Sequence, residues 1–177
     1  MAPEGTPPEV SDALRMDAGE LDKDTGMSLD EAIAALQRQP LVGRLGRALK
    51  ERGPASFGGL FLDYVPEYRI TLLALPGGGE EVTRAVDELG FAELNPFVSV
   101  RETPYTEGGL KEAQRMMGEL GGTKLTTLGL DIRTGEVLAT VASSEDADAA
   151  RAAVDEADPP VPAHRVVVTV ATDGGDQ

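Results

Sequence analysis

The sequence contains no cysteine and no tryptophan, one histidine and four lysines. Without cysteine there is no disulfide framework, no thiolate metal site and no cysteine nucleophile. One histidine, His164, leaves zinc short of its usual ligands. It sits after a proline-rich stretch with no Gly-x-Ser-x-Gly elbow, so a Ser/His/Asp mechanism has nothing to organise it, and we read it as an exposed residue at a strand start. Aromatic residues make up only 4% of the chain, so the core must be built from Leu, Val, Ile and Ala. No run of 18 apolar residues occurs, and "MAPEGTPPEV" lacks the basic and apolar regions of a signal peptide, so no membrane insertion is expected.

What the chain has in excess is negative charge. Its 31 acidic residues against 16 Lys and Arg give a formal net charge of −15. Such a surface repels phosphate backbones and anionic bilayers, which argues against nucleic acid as a partner and favours cationic ones. The same charge argues against reading "GGTK" as the backbone clamp of an RNA-binding fold. Three other stretches invite a functional reading and fail on detail. "PGGGEE" (76–81) lies where a phosphate loop would, but it lacks the Gly-Lys-Ser/Thr ending and places Glu80 and Glu81 against the anion. "DKDTGMSLDE" spaces Asp22, Asp24, Ser28 and Asp30 like a calcium loop, with Met27 where glycine is required and Ile33 where the last acid belongs. The tyrosines of "DYVPEY" suggest a recognition patch, but its counterpart "DIRTGE" is a plain hairpin turn, so turn formation with flanking packing is the expected role.

Residues 1–27 are rich in Pro, Gly and acids, and the expectation is an unfolded leader with at most a helical turn near Asp12 to Met16. Ser28 and Glu31 form a capping-box pattern before Leu29, Ala32, Ile33 and Leu36, which predicts a helix. Pro40 is expected to end or break it, with a second helix closed by Gly53. A hairpin ("FGGLFLDY", "YRITLLAL"), an amphipathic helix on Val82, Ala85, Val86 and Leu89, and a strand "FVSVRET" follow.

The pentapeptides "AVDEL" (85–89) and "AVDEA" (153–157) point to a duplication. At a constant offset of 68, Leu60, Leu62 and Asp63 fall on Leu128, Leu130 and Asp131, and Val98 and Val100 on Val166 and Val168. Ala74 falls on Ala142, Arg47 on Arg115, and the hairpin turns coincide. The predicted architecture is α+β: two tandem αββαβ lobes over 28–103, with an extra N-terminal helix, and 104–171, each a three-stranded sheet with helices on one face, then a tail 172–177. Each such sheet has two edges with unpaired backbone groups.

The Gly-apolar-aromatic strand before "PEYR", the "YT…L" run leading into the middle helix, and the "D-x-x-T-x-x-V" hairpin together resemble the two-lobed pro-regions of secreted bacterial serine proteases of the α-lytic protease and streptogrisin type, over roughly residues 27–171. The resemblance implies a noncatalytic, monomeric, extracytoplasmic protein with no cofactor and no metal. Such a protein binds a chymotrypsin-fold protease as folding aid and inhibitor. It implies that the last strand extends a protease hairpin and that the tail lies near the active site. On this sequence the partner-binding residues would be Arg165, Val167, Thr169, Ala171, Thr172, Asp173 and Gln177. With no protease domain after Gln177, the expected use is as a stand-alone exported interaction module; the alternative is a surface or lipoprotein-linked module with no protease partner.

Overall fold

In a computed structural model of the chain, residues 10–119, 125–156 and 165–171 are described. Helix α1 runs Asp12–Thr25, so most of the expected unfolded leader is in fact helical. Both of its ends are capped: Ser11 accepts from the Leu14 amide at 3.2 Å, and Gly26 donates back to the Asp22 carbonyl at 2.7 Å. It packs against helix α2, Leu29–Arg52, and Ala18, Ala32 and Ala35 are fully buried near the turn between the two. Small residues let helix axes approach closely, and that packing leaves little hydrophobic signal in the sequence.

The capping box of Ser28 and Glu31 forms as expected, but α2 does not stop at Pro40. Proline inside a helix removes one hydrogen bond and costs about 3 kcal/mol. Here the segment before Pro40 is held by α1, and the segment after it buries Val42, Leu45 and Leu49 in the core. Tertiary contacts on both sides of the proline outweigh its local preference.

The first lobe continues with β1 (Phe57–Asp63), β2 (Arg69–Ala74), α3 (Gly79–Glu88), a short 3-10 helix (Ala92–Phe97) and β3 (Val98–Glu102). The second lobe has α4 (Glu107–Glu119), β4 (Leu125–Asp131), β5 (Glu136–Val141), α5 (Ser144–Asp155) and β6 (Arg165–Val170). The sheets run β1-β2-β3 and β4-β5-β6, each with an antiparallel hairpin followed by a parallel crossover through a helix. The fold is therefore α+β in two lobes, as the periodicity predicts.

The duplication is visible in the backbone. Both hairpins carry a bulge at the same place, Phe57/Gly59 and Leu125/Thr127. Thr103 donates to Ala74 at 2.8 Å, and Ala171 donates to Val141 at 2.7 Å. The buried stripe Val42, Leu45, Leu49 of α2 recurs as Leu110, Ala113, Met117 of α4. The register is not ungapped, however. The first hairpin loop spans 64–68 and the second 132–135, so the counterpart of Ala74 is Val141 and not Ala142. In α5 the fully buried residues are Ala147 and Ala150, whereas Val154 is half-buried; Ala157 lies outside the described residues.

The two sheets differ in what lies on their helix-free faces. On the first, Phe61, Asp63, Thr71, Leu73, Ser99 and Arg101 alternate outward from the helices, and Thr71 donates to Asp63 at 3.0 Å with Ser99 3.3 Å away. The hairpin loop of the second lobe sits on this face. Ile132 occupies the space in front of Gly59, so that a Cβ at Gly59 would stand 2.5 Å from Ile132 Cδ1. Arg133 donates to the Leu62 carbonyl at 2.7 Å and lies 3.9 Å from the Asp63 carboxylate. Arg101 in turn donates to the Arg133 carbonyl, and both guanidinium groups lie 5.1 Å from the Phe61 ring centre. Gly59 also has φ +141°, a region closed to side-chain-bearing residues.

Glu107, at the start of α4, ties this joint to α2: it accepts from Lys111 and lies 3.3 Å from Lys50 Nζ. The Lys111 hydrogen bond, with Lys50 behind it and partial burial opposing, holds its carboxyl below the usual range. A lowered folded-state pKa gives stability that is present above the unfolded value and is lost as pH falls through the folded one. Glu107→Gln should therefore lower the melting temperature near neutrality and flatten the acid limb of the stability curve, as read by thermal melts across the carboxylate range. Gly59→Ala meets both the dihedral and the Ile132 contact and should cost about 1–3 kcal/mol in denaturant unfolding. The double variant Gly59→Ala, Ile132→Ala should recover the steric share of that loss and leave the dihedral share.

Candidate functional site

Four strand edges were open to a partner on sequence grounds, and their surroundings differ. β1 is interrupted by its bulge and receives Arg133 at the Leu62 carbonyl. β4 is interrupted by the equivalent bulge and receives Gln114 Nε2 at the Leu128 carbonyl, 3.1 Å away. β3 ends in Arg101 and Glu102, charges of the kind that guard an edge. β6 pairs with β5 in unbroken register and carries no charge from Val166 to Val170.

The direction of the β6 backbone groups follows from one hydrogen bond. Ala171 N–H points at the Val141 carbonyl, and in an extended strand alternate residues point the same way. The backbone groups of Arg165, Val167 and Thr169 therefore face β5, while those of Val166, Val168 and Val170 face away from the sheet. Sequence reasoning named the first set, but the amides and carbonyls available to an added strand belong to the second. Only the hydrogen bonding to the neighbouring strand reveals this parity, and it is the same in both lobes, with Thr103 pointing at Ala74 and Ala171 at Val141.

The outward groups are partly claimed. Arg151, projecting from α5, places Nη2 3.2 Å from the Val168 carbonyl while Nη1 lies 3.0 Å from Asp148. Both charged side chains are largely exposed, so this clasp is a weak one that water or another donor can replace. Thr169 Oγ1 lies 3.4 Å from both Thr140 Oγ1 and the Ala139 carbonyl, which fixes it over β5. Val170 is 41% exposed at the end of the strand, and Leu138, on the helix-free face, is 40% exposed. Thr172, Asp173 and Gln177 lie outside the described residues, as do His164 and "GGTK".

A search against protein-family models finds no match, and neither does a search of curated proteins.

The other sequence candidates resolve into structure. In "PGGGEE" the Gly77 amide is taken by the Glu102 carboxylate at 2.8 Å, and Glu81 accepts from Ser56 at 2.6 Å, so the donor a phosphate would need already serves an acid. Asp22 and Asp24 lie in the last turn of α1 and Asp30 in the first turn of α2, which is a helical hairpin and not a calcium loop. Among the described residues no group of three or more His, Asp or Glu side chains is placed to hold a metal ion. The tyrosines of "DYVPEY" do more than flank a turn: Tyr64, Tyr68 and Phe97 form a chain of ring contacts with centres 5.8 and 5.7 Å apart.

Proposed function

We propose that the chain is a noncatalytic, extracytoplasmic protein-binding module of the serine-protease pro-region type, which captures an extended segment of its partner on the outer edge of β6. The observation that carries this reading is the contrast among the edges: β6 alone, among those described, has neither a bulge nor a charge between its second and last residues. Strand addition draws its affinity from backbone hydrogen bonds and its specificity from the alternating side chains beside them. The acidic surface favours a partner with a basic face and speeds the encounter at low salt. The resemblance supplies the partner class, a chymotrypsin-fold secreted protease, with the tail from Thr172 to Gln177 leading toward its active site.

An incoming strand must take the Val168 carbonyl from Arg151, so the clasp sets a modest threshold for docking. The test is inhibition and assisted refolding of chymotrypsin-fold secreted proteases by the purified chain. Val170→Pro removes an outward amide and spares the ladder to β5; it should weaken inhibition by about tenfold or more with the fold intact by circular dichroism. Arg151→Ala should tighten it severalfold by freeing the Val168 carbonyl. Inhibition that is indifferent to Val170→Pro contradicts the β6 edge. Absence of any effect on such proteases removes the protease partner and leaves the interaction module with a different one.

A further inference from the structure

A cleft of about 430 Å³ opens where the α1–α2 turn, the first hairpin loop and the 3-10 helix meet, walled by Met27, Pro66 and Phe97 and edged by Glu31, Arg38 and the paired Glu67 and Arg69. The Arg38 guanidinium sits over the aromatic chain, its carbon 4.0 Å from the Phe97 ring centre and 5.7 Å from that of Tyr68. It has no carboxylate partner among the described residues, although the chain carries nearly twice as many acids as bases. The two acids beside it are engaged elsewhere. Glu31 accepts from the Ser28 amide and hydroxyl at 2.9 and 2.7 Å, and Glu67 accepts from Arg69 at 3.0 and 2.5 Å. Tyr68 also lines the cleft, but its hydroxyl is buried out of reach of solvent and has no hydrogen-bond partner among the described residues. A buried hydroxyl left unpaired is costly, and such groups in native proteins ask for an explanation. Burial pushes the Tyr68 phenol up, and the nearby Arg38 charge acts against that rise, so guanidinium and phenol share one electrostatic environment.

The cluster belongs to the first lobe alone. At the repeat offset the places of Arg38 and Phe97 are taken by Thr106 and Arg165, and among the described residues the second lobe has no equivalent of α1. The N-terminal helical hairpin thus adds to the duplicated unit a cleft that the duplication does not need.

We propose that this cleft binds a single carboxylate, with the Arg38 fork as its donor and the Met27, Pro66 and Phe97 wall receiving an adjoining apolar group. Arg presents paired N–H donors that match a carboxylate bidentately, and stacking on Phe97 holds the fork in place before the ligand arrives. The flanking carboxylates of Glu31 and Glu67 disfavour dianions such as phosphate. The ligand is either a free apolar carboxylic acid or the C-terminus of a peptide.

Calorimetric titration of the full chain with N-acetyl-leucine, with N-acetyl-leucine amide, and with an acetylated pentapeptide ending in leucine as acid and as amide tests this. The acids should bind saturably and at least about tenfold tighter than the amides. A pentapeptide acid tighter than N-acetyl-leucine identifies a peptide terminus, and equal affinity identifies a free acid. Arg38→Gln should abolish the preference for acid over amide. Tyr68→Phe should leave acid binding unchanged and the melting temperature unchanged or higher, because it deletes a hydroxyl that is buried out of the ligand's reach and has no partner among the described residues. Equal binding of acids and amides, no binding of either acid at about 10 mM, or an Arg38→Gln variant that keeps the preference for the acids would overturn the proposal.

Discussion

The contact of the second hairpin loop with the first sheet is the constraint on which the molecule depends. Each lobe is a three-stranded sheet with helices on one face, and a sheet that thin buries little on its own. Ile132 against Gly59, and Arg133 between the Leu62 carbonyl and the Phe61 ring, turn the helix-free face of the first sheet into an interface. Glycine at 59 is required twice over there, for its dihedral and for the space that Ile132 fills.

That contact makes two copies of one unit unequal. The first lobe has helices on one face of its sheet and the second lobe's loop on the other, and its core contains Leu45, Leu49, Ile70 and Leu72. Among the described residues the second lobe has a smaller core, of Ala, Val and Met, and Leu138 and Thr169 are exposed on or beside its helix-free face. A lobe with less buried apolar surface opens more readily, as the proposed docking of a partner strand on β6 would require. The additions to the first lobe are of a different kind: α2 meets the aromatic residues of the hairpin loop and leaves Arg38 stacked on them with no carboxylate partner among the described residues.

Much of this was legible in the sequence, and the exceptions have physical reasons. The strands were readable because their apolar alternation repeats 68 residues apart, as in Leu60 and Leu62 against Leu128 and Leu130. The hairpin loops read as coincident because the flanking residues tolerate a one-residue shift, yet the pairing of Leu125 with Val141 shows the shorter loop. α1 was hidden because its buried contact is an alanine, and a helix secured by caps and Ala18 resembles a polar leader. Pro40 read as a break because the local rule cannot include the packing on either side. At the site, β6 was recognisable as an edge, but which of its residues face outward was not, since that follows from the register with β5. The unpaired Tyr68 hydroxyl had no sequence signal at all, because it depends on what fails to lie nearby.

The account rests on β6 being an open edge with a defined parity, and residue-resolved amide hydrogen exchange on the free chain measures that directly. The amides of Val167, Thr169 and Ala171 should be protected through their bonds to β5, while those of Val166, Val168 and Val170 exchange much faster. Uniform protection along the strand would mean that the edge is already covered, and protection of the opposite set would mean that the register, and with it the docking surface, is wrong.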